Sequence, residues 1–226
     1  MAEYVEVARA ESERGEVVLR RRIEEHAADV LELRVNGVYV MDTLETSSET
    51  ELAAAALELV EDPRDVVVGG LGLGFTTQRV LADHRVERVM VVEIEEALVG
   101  WMRDGTVRHG PGVLADKRVH IVNTDIVTAI AEATSTYDLV LLDVDNGPGY
   151  LVHDMNASVY EHEFIASTKR ILNPGGALVI WSANPAPSLE AVLEDVFGNC
   201  VEHRYDVLLQ QRAEQYLLYL SRVPHR

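Results

Sequence analysis

The sequence is poor in the residues that staple small folds or mark redox and metal chemistry. Among 226 residues there is a single cysteine, Cys200. No intrachain disulfide can form, and no cysteine-rich zinc site can be built. Cys200 follows Phe197-Gly198-Asn199 beside an apolar segment and is expected to be a buried, inert thiol. Positive charge is scarce as well, with 20 Lys and Arg against 38 Asp and Glu and a formal net charge of −18. That balance argues against nonspecific nucleic-acid binding, whose affinity comes mostly from neutralised phosphates. It admits a cationic partner and otherwise keeps the surface solvated. Long apolar runs are missing: LVLL at 139–142 is far too short to cross a bilayer. The opening MAEYVEVARAESERGE has neither the basic start nor the apolar stretch of a secretion signal, so a cytoplasmic chain without a membrane partner is expected. There is no His/Cys/Asp cluster at zinc spacing and no Gly-x-Ser-x-Gly elbow, so neither a metal nor a serine nucleophile is expected.

What is present is a large apolar content, 47% of residues. It suits one sizeable domain with a small appendage. The first sixteen or so residues are expected to be loosely held. Short strands follow to about residue 42, with Asn36-Gly37 as a hairpin turn because both residues tolerate positive φ. SSETELAAAALELVED reads as a helix capped by Ser47 or Ser48, with Glu51 completing a capping box and Pro63 beyond its end. From residue 65 strands and helices alternate. DVVVGG, RVMVVEI, RVHIVNTD, YDLVLLDVD and ALVIWSA are strands. FTTQRVLADH, EEALVGWMRD, IVTAIAEAT, residues 157–172 and SLEAVLEDVF are helices. HGPG is a loop, and two closing strands end the chain. Such alternation of nearly all-apolar strands with helices predicts an α/β fold, a Rossmann-like, doubly wound, mostly parallel sheet covered on both faces. The expected division is a tail and small β-hairpin subdomain at 1–46 and the α/β domain at 47–226. An exposed apolar face on SLEAVLEDVF or on the closing strands would support a homodimer.

Ligands of such sheets sit beyond the carboxyl ends of the strands, and three junctions there carry polar or bare residues. In VVVGGLGLGF, Gly70, Gly72 and Gly74 permit a tight turn and close approach of a ligand, or close packing of helix on sheet. Glu93 ends the next strand and can accept both hydroxyls of a ribose. That layout would serve NAD equally. The third junction argues otherwise, because Asn123, Thr124 and Asp125 stand where a third strand stops. The Asp125 carboxylate can accept from an adenine amino group while the Ile126 N–H faces a ring nitrogen. Asp125 can also cap the following helix, and the two roles are compatible.

Together, VVVGGLGLGF, VMVVEIEEALV, DKRVHIVNTD, YDLVLLDVDNGPG and VYEHEFIASTKRILNPGGALVIW resemble the class I S-adenosylmethionine-dependent methyltransferase superfamily. More specifically, the run is similar to its spermidine synthase, or aminopropyltransferase, branch. The strand-rich segment with NGVYVMDT resembles that branch's N-terminal β-hairpin domain. The resemblance implies S-adenosylmethionine, or its decarboxylated form, as donor, and no metal. It implies that Asp143 faces the donor sulfonium and positions or deprotonates an acceptor amine, with Asp145 two residues on as the second acid. A loop at 146–157 is then a candidate lid hinged at Gly147 and Gly149, bringing Tyr150, His153, Asp154, Asn156 and Tyr160 toward a small-molecule acceptor, a cationic one if it is a polyamine.

The sequence departs from that branch at several places. The branch's Asp-x-x-Asp-Pro pattern is here Asp143-Val144-Asp145-Asn146-Gly147-Pro148. Its Gln and Tyr-His elements are replaced by MDTLETSSETEL, and WSANPAPS stands where a polar stretch is usual. The branch keeps an acid within the glycine turn, where this chain has Leu71 and Leu73. Apolar turn residues cannot pair with the cationic amine of a decarboxylated donor. The expectation is therefore methyl transfer from S-adenosylmethionine to a small molecule. The alternatives are aminopropyl transfer to a di- or polyamine and a noncatalytic nucleoside-binding scaffold. Both reactions are in-line attacks on a carbon bound to sulfonium, so the protein has mainly to orient the pair and exclude water.

Overall fold

The computed structural model describes residues 3–23, 28–144, 147, 148, 151, 154–209 and 212–225. Four antiparallel strands come first, β1 (Glu3–Ser12), β2 (Gly15–Ile23), β3 (Val30–Val35) and β4 (Val38–Asp42), paired in that order. The β3–β4 turn is the expected Asn36-Gly37 hairpin, with φ of +50° and +75°. Asn36 also fastens the neighbouring turn: its Oδ1 accepts from the Glu16 N–H at 3.0 Å, and its Nδ2 donates to the Arg14 carbonyl at 3.1 Å.

Strand β1 corrects the expectation of a loosely held start. It pairs with β2 from Glu3 to Ser12. Its side chains are mostly exposed and none is buried, so no buried stripe betrays it in the sequence. The main-chain ladder holds it, together with Arg9 bonded to Glu6 at 2.7 Å and to Glu16, and Arg20 lying 4.1 Å over the Tyr4 ring.

Helix α1 (Ser47–Leu59) follows and buries Glu49, Leu52, Ala53, Ala56 and Leu57, one stripe at helical spacing. The capping box is corrected. Thr46 is the N-cap, without a side-chain cap bond, and the Glu45 carboxylate instead accepts the Ser47 N–H at 2.9 Å. The alternating units are β5 (Asp65–Gly69), α2 (Phe75–Leu81), β6 (Arg88–Glu93), α3 (Glu96–Asp104), α4 (Gly110–Leu114), β7 (Val119–Asn123), α5 (Ile126–Glu132) and β8 (Tyr137–Leu142). A 3-10 helix (Asp154–Tyr160), α6 (His162–Arg170), β9 (Leu172–Ser182), α7 (Pro187–Phe197), β10 (Val201–Leu209) and β11 (Arg212–Arg222) complete the fold.

Two further expectations change. HGPG is no simple loop, since Gly110 opens α4 against the backbone of Met102, where a Cβ would lie 2.2 Å from the carbonyl oxygen. The single helix expected over 157–172 is two pieces, and the strand after it already includes Asn173-Pro174-Gly175-Gly176. A register shift between Tyr137 and Leu139 absorbs that irregular stretch.

The seven-stranded sheet runs β10-β11-β9-β8-β5-β6-β7, parallel except for the β11 pairings. Alternate residues feed two cores. Val66, Val68, Leu139 and Leu141 pack under α1–α3, while Val67, Val140 and Leu142 pack under α5–α7. From β5 the chain steps to β6 and β7 on one side and later to β8 and β9 on the other. The crevice at that reversal, over the carboxyl ends of β5 and β8, is where open sheets of this kind bind ligands.

Candidate active site

A cavity of about 360 Å³ occupies that crevice. The strand ends form its floor, while β2–β4 and the start of α1 form one wall. The glycine turn after β5 is bare chiefly because protein presses on it. Gly70 has φ of +92°, and a Cβ there would lie 2.2 Å from the Asp143 carbonyl oxygen. Gly72 has φ of +50°, and its Cβ would lie 2.7 Å from Met41 Sδ. Both glycines line the cavity, whereas Gly74 packs on Met102 outside it. Leu71 and Leu73 are 3% and 0% exposed and belong to the core beneath α1–α3. Their side chains point away from the ligand space and say nothing about the charge of a donor.

Glu93 ends β6 at the cavity. Its Oε2 accepts the Leu71 N–H and its Oε1 the Glu95 N–H, both at 2.8 Å. Burial pushes its carboxyl upward, and the two N–H groups oppose that. Each oxygen keeps capacity for a second donor, such as a ribose hydroxyl. Asn123 donates through Nδ2 to the Glu93 carbonyl at 2.7 Å, tying the β7 end to the β6 end. Asp125 caps α5 by accepting the Val127 N–H at 2.8 Å. With Thr124 and Ile126 it lines the same side of the cavity as Glu93.

Asp143 follows the last residue of β8, and its N–H is held by the Gly69 carbonyl at 2.9 Å. Its carboxyl is pushed up to about 7, first by burial and second by the charge of Glu49, with the Thr76 hydroxyl, 3.4 Å away, opposing. Of the other acceptor-side candidates, Asn156 lines the cavity, where its Oδ1 accepts from Arg14 Nη2 at 2.9 Å. Tyr160 is buried in the core under α5–α7 and is not part of the lining. Asp145, Tyr150 and His153 lie outside the described residues, and the candidate lid is described only in part.

Several lining residues were not singled out from the sequence. Glu49 is the most telling. It is 7% exposed, its Oε2 accepts the Ser48 hydroxyl at 2.6 Å, and burial raises its pKa. Its signal was present: it occupies the i position of the stripe continued by Leu52, Ala53, Ala56 and Leu57, an acid on an apolar face. Tyr39 lines the cavity beside Asp42, which is itself 3.9 Å from Arg22 Nη2. Burial first, then the Asp42 charge, raise the Tyr39 phenol. Trp181 and Tyr216, edge-on with ring centroids 5.1 Å apart, add aromatic wall. The cavity thus has one side with Glu93 and Asp125, and an acidic, aromatic side with Asp143, Glu49 and Tyr39. Arg14 is the sole basic group among the described lining residues.

Comparison with known proteins agrees with this layout. The family model of the spermine/spermidine synthase domain matches residues 45–202. A polyamine aminopropyltransferase of Saccharolobus islandicus is 31% identical over 134 residues, covering 59% of this chain and 44% of the relative. One of Aeropyrum pernix is 30% identical over 192 residues, covering 77% of this chain and 59% of the relative. The chain therefore spans about half the length of the relatives it matches. A spermidine synthase solved with the transition-state analogue AdoDATO superposes with a TM-score of 0.80 at 16% identity, covering 96% of this chain and 73% of that one, which establishes the shared fold.

These matches overturn the expectation of methyl transfer. It rested on Leu71 and Leu73 as ligand-facing residues, and they are core residues. The family model spans more than half of the sequence, and the chain belongs to the spermine/spermidine synthase family.

Proposed function

We propose that this protein is an aminopropyltransferase that joins the aminopropyl group of decarboxylated S-adenosylmethionine to a di- or polyamine. The observation that carries the reading is the family match over residues 45–202, which contains the cavity's acids Glu45, Glu49, Glu93, Glu95, Asp125 and Asp143. The donor fits the residues present: Glu93 offers acceptor capacity to a ribose, Asp125 and Ile126 flank the place for an adenine, and the acidic side suits cationic amines and a sulfonium.

In the transfer, an acceptor nitrogen lone pair forms a C–N bond as the C–S bond breaks. The bonding pair passes to sulfur, which leaves as a neutral thioether, and the new ammonium sheds one proton. The role assigned to Asp143 is to receive the proton of the attacking amine, since its carboxyl titrates near neutrality. The cavity walls hold the two reactants in line and keep water out.

The test is product release. The purified chain is incubated with decarboxylated S-adenosylmethionine and a series of diamines, and methylthioadenosine is quantified by chromatography. Amine-dependent methylthioadenosine, with the extended polyamine found by mass spectrometry, is the expected result. Its absence with every amine would overturn the reading.

A further inference from the structure

Glu49 and Asp143 are two carboxyls on one cavity, close enough for the charge of Glu49 to raise the Asp143 pKa. No Lys, Arg or His pairs with either among the described residues. The lining guanidinium, Arg14, is instead bonded to Asn156 and lies 3.6 Å from Glu95. Arg22 of the neighbouring sheet is 3.3 Å from Glu32 and 3.9 Å from Asp42. A carboxylate as buried as Glu49 is costly unless a cation or several donors meet it, and the one side-chain donor it has is the Ser48 hydroxyl. Glu45, Asp42 and Asp143 surround it with charge of its own sign. A cationic ligand on this wall would supply the countercharge that the described residues do not.

We infer that Glu49 is the specificity-determining residue that holds the ammonium group of the acceptor that stays charged during transfer, leaving Asp143 to serve the nitrogen that attacks. The inference rests on the aminopropyl-transfer reading. A diamine needs both functions: one nitrogen must become neutral to act as nucleophile, and the other keeps its proton. Two carboxyls in one cavity match those two demands. A monoamine has no second charge for Glu49 to hold. The Tyr39 and Trp181 rings line the same cavity and suit the apolar methylenes between the two nitrogens.

The experiment compares wild type, Glu49→Gln and Glu49→Asp with a diamine and with propylamine at saturating donor. Truncating one partner of a buried charge pair commonly costs 2 kcal/mol or more, so the KM for diamine should rise about 30-fold or more in Glu49→Gln. The KM for propylamine and the affinity for methylthioadenosine should hold, the melting temperature should not fall, and Glu49→Asp should recover part of the diamine KM. If wild type makes no methylthioadenosine with any amine, the functional reading falls. If wild type turns over but Glu49→Gln keeps the diamine KM, or loses propylamine and diamine equally, the role of Glu49 falls while the reaction stands.

Discussion

Asp143 carries two measurable consequences at the scale of single residues. Replacing it by Asn should lower kcat about 100-fold or more, the usual contribution of a positioned proton acceptor. Methylthioadenosine binding, measured by calorimetry, should stay near wild type; an unaffected kcat would remove Asp143 from the reaction. The second consequence is on stability. Its folded pKa, about 7, lies above the ordinary carboxyl value. A raised pKa means the folded state binds the proton more tightly, so this contribution is complete at low pH and is lost as pH rises through about 7. Asp143→Asn should therefore raise the melting temperature at pH 8 and do little at pH 4, and a constant difference between the two would contradict the assignment. Gly70 is the other decisive position, because an alanine Cβ would meet the Asp143 carbonyl oxygen while the backbone sits at φ of +92°. Gly70→Ala should cost at least about 1–3 kcal/mol in denaturant unfolding and displace the acid it abuts. Both residues were legible in the sequence, since a glycine after a β-branched run and an acid after LVLL mark strand ends. Leu71 and Leu73 were misread for a physical reason. In a turn, the direction of a side chain is set by backbone dihedrals that no hydropathy pattern encodes.

The parallel strands and most helices were readable among the elements, because buried strands leave apolar runs and buried helix faces leave stripes. What escaped has a common cause. Strand β1 is held by main-chain pairing at a charged edge, α4 by a glycine pressed on Met102, and the helix expected at 157–172 is interrupted next to Glu161, where no proline or glycine marks the break. None of these depends on burying a periodic face. Hydrogen exchange gives the check on β1: its ladder amides should be protected well beyond peptide rates, and free exchange throughout 3–12 would restore a loose tail. Glu49 shows how an element and a site can be confused. The helical stripe that predicts α1 contains it, yet a search of strand ends alone passes over an acid that the helix delivers from the opposite wall.

The acidic excess of the whole molecule acquires a direction once the acceptor is a cation. Under the proposed reaction, a formal charge of −18 would raise the concentration of a cationic acceptor near the surface and speed its capture. At 1 M salt the Debye length shrinks to about 3 Å, which screens that field while buried contacts persist. The acceptor KM should therefore climb with added NaCl more steeply than the affinity for methylthioadenosine, and equal sensitivity would assign the charge to solvation alone. The family match and the cavity also have different borders. Arg14, Tyr39 and Met41 line the cavity from one side and Tyr216 from the other, all outside residues 45–202. A protein trimmed to that matching segment would retain every acid assigned to the reaction and lose two walls of the vessel. The acids lie inside the matching segment, while part of the enclosure that makes them a closed vessel is supplied from outside it.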